Sequence, residues 1–166
     1  MELVQVEPLS AHAFAAFGDV IEIDPNRTPI PINDNTTQRY HDLATSIARG
    51  NNARVVLSIA RATPFDLPIS LNKMERHPFG SQAFVPLTPS RFLVIVAPDE
   101  AGKPGQPQAF LAAPGQGINY ALGTWHAVLT ALDQPTDFLI VDRAGDEDNL
   151  EEHVYPERYL VTLHED

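Results

Sequence analysis

Fifteen prolines and nine glycines divide this chain into apolar runs that are almost all of strand length. Proline removes a backbone donor and clashes in a helix interior, so a chain punctuated this often has little room for long helices. The runs between them read as strands. Residues 2–6 and 19–23 are short examples, and Ala53 to Arg61 alternates Val55, Leu57 and Ile59 against Arg54, Val56, Ser58 and Ala60. Further strands are expected at 69–77, 82–86, 108–113, 137–143 and 159–163. Arg91 to Ala97 is nearly continuous in apolar residues, which suits a strand buried on both faces. Ser10 caps one brief helix, Ala11 to Phe17, in which Phe14 and Phe17 share a face and Gly18 ends the turn. Pro25, Pro29 and Pro31 exclude a regular element over 24–32. Arg39 to Asp42 reads as a polar edge strand. About ten short strands with one or two small helices predict a mainly β fold, an antiparallel barrel or jelly roll. No linker or repeat divides the chain, so residues 1–166 form a single domain.

Charge narrows the partners. The net charge is −11 and there are only two lysines, Lys73 and Lys103. A field of that sign repels nucleic acid and anionic membranes, and an anionic substrate needs a local arginine. The absence of cysteine excludes disulfides, thiolate metal sites and a cysteine nucleophile. No apolar run approaches the ~20 residues of a membrane helix, and the first residues lack the pattern of a signal peptide, so a cytoplasmic location is expected. The acidic tract Asp146–Asp148 with Glu151–Glu152 reads as a solvated loop or helix start without chemistry.

The chemistry concentrates in Glu75-Arg76-His77-Pro78-Phe79-Gly80-Ser81-Gln82-Ala83-Phe84. With strands on either side of a four-residue turn, His77 pairs with Gln82 and Glu75 with Phe84. Alternation then gathers Glu75, His77, Gln82 and Phe84 on one face and turns Arg76 away. A solvated hairpin would share that pattern. Trp125-His126, some fifty residues on, supplies a second imidazole, which a jelly roll can bring across the interior. Glu75, His77, Gln82 and His126 form a donor set suited to a divalent transition metal such as nickel, iron, manganese or zinc. The same groups suit metal-free acid–base work.

Glu-x-His with Gln five residues later, then a His in a second hairpin, resembles a variant of the two cupin motifs. Glu75 takes the place of the usual first histidine and Gln82 that of the glutamate. The wider pattern resembles the ureidoglycolate lyase family, also called ureidoglycolate hydrolase. It includes Pro8-Leu9-Ser10, Phe17-Gly18-Asp19-Val20, Arg39-Tyr40-His41-Asp42-Leu43-Ala44 and Ser58-Ile59-Ala60-Arg61-Ala62. It continues through Glu75-Arg76-His77-Pro78, Gln82-Ala83-Phe84, Gly117-Ile118-Asn119-Tyr120, Trp125-His126, Thr136-Asp137-Phe138-Leu139 and Asp142-Arg143. These stretches span nearly the whole chain in order. Ala60 stands where asparagine is expected, and Val128 where proline is common; neither change removes a titratable group.

The resemblance implies a cupin-like barrel that cleaves ureidoglycolate to glyoxylate and urea during allantoin and purine degradation. It also implies a homodimer and an association with nickel. On that reading Glu75 or His77 is the base, and His126 the acid or a metal co-ligand. Arg61 and Arg39 are candidates for the substrate carboxylate, with Arg143 more suited to pairing with Asp137 or Asp142 in the sheet. Asn33, Ser58 and Tyr120, with Gln82, are candidates for the ureido group. Two other classes fit the residues: a metal-dependent cupin isomerase or dioxygenase, and a non-catalytic sensor of a small acid.

Overall fold

A computed structural model describes residues 1–163. The strands in chain order are β1 (Glu2–Pro8), β2 (Gly18–Ile21), β3 (Ile30–Ile32), β4 (Thr37–Arg39), β5 (Arg54–Ala62), β6 (Ile69–Arg76), β7 (Gln82–Pro86) and β8 (Phe92–Ala97). They continue as β9 (Asp99–Glu100), β10 (Lys103–Pro104), β11 (Gln108–Ala112), β12 (Gly117–Tyr120), β13 (Trp125–His126), β14 (Thr130–Ala131), β15 (Thr136–Ala144) and β16 (Glu151–Thr162). The helix is shorter than expected. It covers only Ala11–Phe14, with the Ser10 hydroxyl accepting from the Ala13 amide at 3.1 Å. No helix among the described residues is long and apolar enough to cross a membrane.

Two layers organise the molecule. One sheet runs β11-β1-β16-β6-β13-β8-β14, and β8 also pairs with β11, so six strands close into a barrel. The other sheet runs β2-β12-β7-β15-β5. This is the cupin-like β architecture expected. Nearly all pairings are antiparallel, β1 being the exception with parallel partners on both sides.

The layers explain the β8 run. Phe92, Val94 and Val96 face a core shared with the five-stranded sheet, including Phe84, Ile118, Tyr120 and Phe138. Leu93, Ile95 and Ala97 face the barrel interior with Met74, Trp125 and Val161. A strand walled on both sides has no polar face to present, and all six of its residues are buried. Phe92 and Phe138 tie the layers together edge to face at 5.2 Å. Each such ring contributes roughly 1.5–3 kcal/mol through burial.

Several local expectations change. β6 and β7 do not form a hairpin: β6 pairs with β13 and β16 in the barrel, and β7 with β12 and β15 in the other sheet. The 77–81 segment is therefore a passage between layers. Ile30–Ile32 is a strand despite Pro31, because its two-stranded hairpin with β4 leaves a free edge for a residue without a donor. Glu151 and Glu152 begin the longest strand, pairing with Arg76 and Glu75, so this part of the acidic tract belongs to the sheet.

Candidate active site

Phase along β6 decides where Glu75 points. Ile69 and Leu71 fill the barrel, and so does Met74, which a strictly alternating strand would turn outward. The change of phase coincides with a register shift in β16 between Val154 and Tyr159, a span that includes Pro156. Such irregularities re-aim the side chains beyond them. Beyond this one Met74 lies inside, and Glu75 faces out of the barrel toward the second layer. Glu75 pairs directly with His126 of β13, and His126 pairs with Val96 on the layer-facing side. Ligand atoms of Glu75, His77 and His126 all lie within 4.8 Å of one another. His126 therefore stands beside Glu75 on a neighbouring strand.

Two backbone carbonyls set the chemistry of the imidazoles. His77 Nδ1 lies 2.8 Å from the Asn149 carbonyl oxygen, and His126 Nδ1 lies 2.9 Å from that of Ala127. A carbonyl only accepts, so each Nδ1 carries a proton, and in the neutral ring Nε2 is left with a lone pair. Both Nε2 atoms are buried with no hydrogen-bond partner. Burial pushes the His126 pKa down to about 4, reinforced by the nearby His77 and opposed by the Ala127 carbonyl, so the ring is neutral at pH 7.

The facing layer contributes two more groups. Tyr120 stacks on His126 with ring centroids 4.3 Å apart and planes 7° from parallel. Burial, and next the Glu75 carboxylate, raise its phenol above the ordinary range, so it stays protonated. Gln82 pairs with Tyr120 in the sheet; its Nε2 donates to Asp142 at 3.1 Å while its Oε1 is buried and unpartnered. Two bare imidazole nitrogens and a carboxylate fit a divalent transition metal, since carbonyls already orient both rings for Nε2 ligation.

The remaining candidates lie elsewhere. Arg61 sits on the outer face of β5 and pairs with Asp137, Nε to Oδ1 at 2.8 Å, its side chain mostly exposed. Alternation in the five-stranded sheet puts that face opposite the one carrying Gln82 and Tyr120. Arg39 lines a separate cavity of about 420 Å³ with His41, Asn119 and Val141, also against the outer face. Asn33 is exposed, and it starts a left-handed run (φ 53°, 54° and 64° for Asn33, Asp34 and Asn35) that turns β3 into β4. Short polar side chains tolerate that conformation. Ser58 shares the inner alternation but lies exposed on the edge strand. Arg143 pairs with neither Asp137 nor Asp142. Its buried guanidinium binds the carboxylate of Glu147, donates to the carbonyls of Arg49 and Glu147 at 3.0 Å, and lies over Phe79.

Asn149 acts on the cluster without having been singled out in the sequence, and Asp142, expected to pair with Arg143, instead holds Gln82. Asn149 serves His77 through a main-chain oxygen, which has no side-chain signature.

Comparison with known proteins identifies the family. The family described as ureidoglycolate lyase matches residues 1–162. The ureidoglycolate lyase of Chelativorans sp. (strain BNC1) is 58% identical over 165 residues, covering 99% of both chains. That of Mesorhizobium japonicum is 53% identical over 163 residues, 98% of this chain and 99% of the relative. Ureidoglycolate lyase 2 of Rhizobium meliloti is 49% identical over 156 residues, covering 94% and 95%. Matched over nearly its full length, the chain belongs to the ureidoglycolate lyase family.

Proposed function

We propose that this protein cleaves ureidoglycolate to glyoxylate and urea, as a carbon–nitrogen lyase of allantoin and purine degradation, at the cluster of Glu75, His77 and His126. The carrying observation is the pair of buried, unpartnered Nε2 atoms beside the Glu75 carboxylate. The substrate is a hemiaminal whose central carbon bears a hydroxyl, a carboxylate and the ureido nitrogen. It collapses when a base removes the hydroxyl proton: the C–O bond becomes C=O, the C–N bond breaks, and the nitrogen leaves with the electron pair and gains a proton. No water is consumed.

Glu75 is the base in this scheme and returns the proton to the departing nitrogen. His126 has the wrong charge state for the acid, being held neutral by burial. Its bare nitrogen suits a ligand or an acceptor. Tyr120 keeps its phenolic proton and donates to the ureido oxygen, while the free Gln82 Oε1 accepts from a ureido N–H. A metal ion, nickel included, would be held by Glu75, His77 and His126 with Gln82 as a further oxygen donor. When bound it supplies a Lewis acid that polarises the substrate's hydroxyl or carboxylate oxygen. Neither Arg39 nor Arg61 stands at the cluster, so a cation there would also meet the substrate's charge.

The product assay is decisive. Purified protein given ureidoglycolate releases urea and glyoxylate in equal amounts, and Glu75→Gln abolishes the release. Ammonia and carbon dioxide would mark a hydrolase, and binding without turnover a sensor.

The same reading includes a homodimer. β5 is the edge of its sheet, and Leu57 and Ile59 on its outer face are 69% and 66% exposed, with Val55 beside them. An exposed apolar edge strand is a template for pairing, and any strand pairs antiparallel with its own two-fold copy. β5 carries Arg54 and Arg61 and no acid, so the strand itself adds no carboxylate to the repulsion between copies of a chain with net charge −11.

A further inference from the structure

The residues between β15 and β16 lie in the tract that reads as a solvated acidic loop, yet they grip the passage that carries His77. Asn149 holds this passage twice. Its carbonyl accepts from His77 Nδ1 at 2.8 Å, and its side-chain Oδ1 accepts from the Phe79 amide at 2.8 Å. The other side of Phe79 is also fixed, its carbonyl accepting from the Arg49 amide at 2.8 Å and its ring lying 5.2 Å from the Arg143 guanidinium. Arg143 in turn holds Glu147, whose carboxylate accepts from the Asn51 amide at 2.6 Å, and the Asp146 amide donates to the Asn51 carbonyl at 3.0 Å. Segments 49–52, 77–80 and 143–149 thus form one hydrogen-bonded buckle around the turn after β6.

We infer that Asn149 is a positioning residue for His77, fixing both its tautomer and the direction of Nε2. The main-chain oxygen acts on the ring, and the side chain acts by clamping that oxygen's residue to the same turn. His77 lies at the end of β6 with no strand beyond it, so alternation alone does not orient its ring. Without the Oδ1–Phe79 bond the carbonyl drifts, the Nδ1 proton loses its acceptor, and the ring samples the tautomer in which Nε2 is protonated. That form neither accepts a proton nor ligates a metal at Nε2. Aspartate at 149 preserves an acceptor for the Phe79 amide; alanine does not.

The test compares Asn149→Ala with Asn149→Asp, using long-range ¹⁵N–¹H correlation of the imidazoles in chelator at neutral pH, alongside steady-state kinetics. The wild type shows His77 protonated at Nδ1. N149A shows a tautomer mixture and a roughly 10- to 100-fold fall in kcat with a smaller change in KM, and N149D restores both. If N149A does not fold, Asn149→Ser, whose hydroxyl is one atom too short for the same reach, takes its place. An unchanged Nδ1–H signature in the non-accepting variant overturns the inference, as does an equal loss in N149D. The kinetic arm rests on the ureidoglycolate reading and the tautomer arm does not. A wild type inert toward ureidoglycolate sinks that reading and leaves the role of Asn149 to be decided by the spectrum.

Discussion

Burial of His126 makes the fold itself sensitive to acid. The residue is 2% exposed, its ring stacked under Tyr120 and its pKa pressed from 6.5 to about 4, chiefly by desolvation. The unfolded chain then binds a proton in a range where the folded chain refuses it. Stability rises with pH wherever the unfolded state holds more protons. The contribution is therefore complete above pH 6.5, declines as pH falls from 6.5 to about 4, and levels off below. At about 1.4 kcal/mol per pH unit the full difference is roughly 3 kcal/mol. Urea denaturation in chelator, from pH 7.5 down to 4, measures it against His126→Phe, which keeps an aromatic ring against Tyr120 and cannot titrate. The wild type should lose roughly 3 kcal/mol more than the variant across that range. Parallel profiles would refute the account, since they would mean that His126 is solvated well enough to take its proton in the fold.

Three further outcomes follow from the placement of side chains. Arg61→Ala leaves kcat and KM of ureidoglycolate cleavage essentially unchanged, because the guanidinium is engaged with Asp137 on the far face of the sheet; a tenfold rise in KM, read from initial rates, would contradict that placement. Leu57→Asp puts a charge in the exposed row of β5; with β5 as the proposed dimer seam, light scattering should show a dimer for the wild type and a monomer for the variant, with the far-UV circular dichroism retained. Phe138→Ala removes a ring buried between the layers against Phe92; it costs about 3–5 kcal/mol and lowers Tm by on the order of 10 °C, measured by calorimetry.

The residues differ in how much of this they announced. Strand identity was readable because it is local: the run from Phe92 to Ala97 has no polar face, and the structure gives it two cores. Alternation predicts Glu75 and His77 on one face, and their ligand atoms do lie within 4.8 Å, but His77 sits one residue past β6 and its ring is held by the Asn149 carbonyl. Partnership was not readable. A turn such as 78–81 connects two strands equally well within one sheet or between two, and the choice rests on which distant strands, β13 and β16, take the edges of β6. The arginines misled for a similar reason. Arg61 lies on the same face of its strand as Leu57 and Ile59, and an apolar row normally marks the inside. Here the inner row is Val56, Ser58 and Ala60, and the larger side chains are outside. Alternation identifies two faces without saying which one is covered.

The site also shows why its neighbours in sequence matter as much as its members. Glu75 and His77 flank Arg76, and His126 follows Trp125. The intervening residues occupy the opposite side of the same two strands. There the Arg76 guanidinium lies 4.5 Å from the Trp125 ring, and both groups donate to Asp99 Oδ1, at 2.8 and 2.9 Å. Arg76 also binds Glu151 of β16 at 2.6 Å. A clamp on one face of a strand pair fixes the register on the other, because slipping by one residue would exchange the two faces. His77 is tied to the same unit from its far end, its carbonyl accepting from the Gly123 amide at 3.1 Å. Gly123 sits at φ 76°, a conformation glycine adopts without strain, in the turn that leads into His126. The distance between Glu75 and His126 is thus set from behind, by groups that need never meet a substrate.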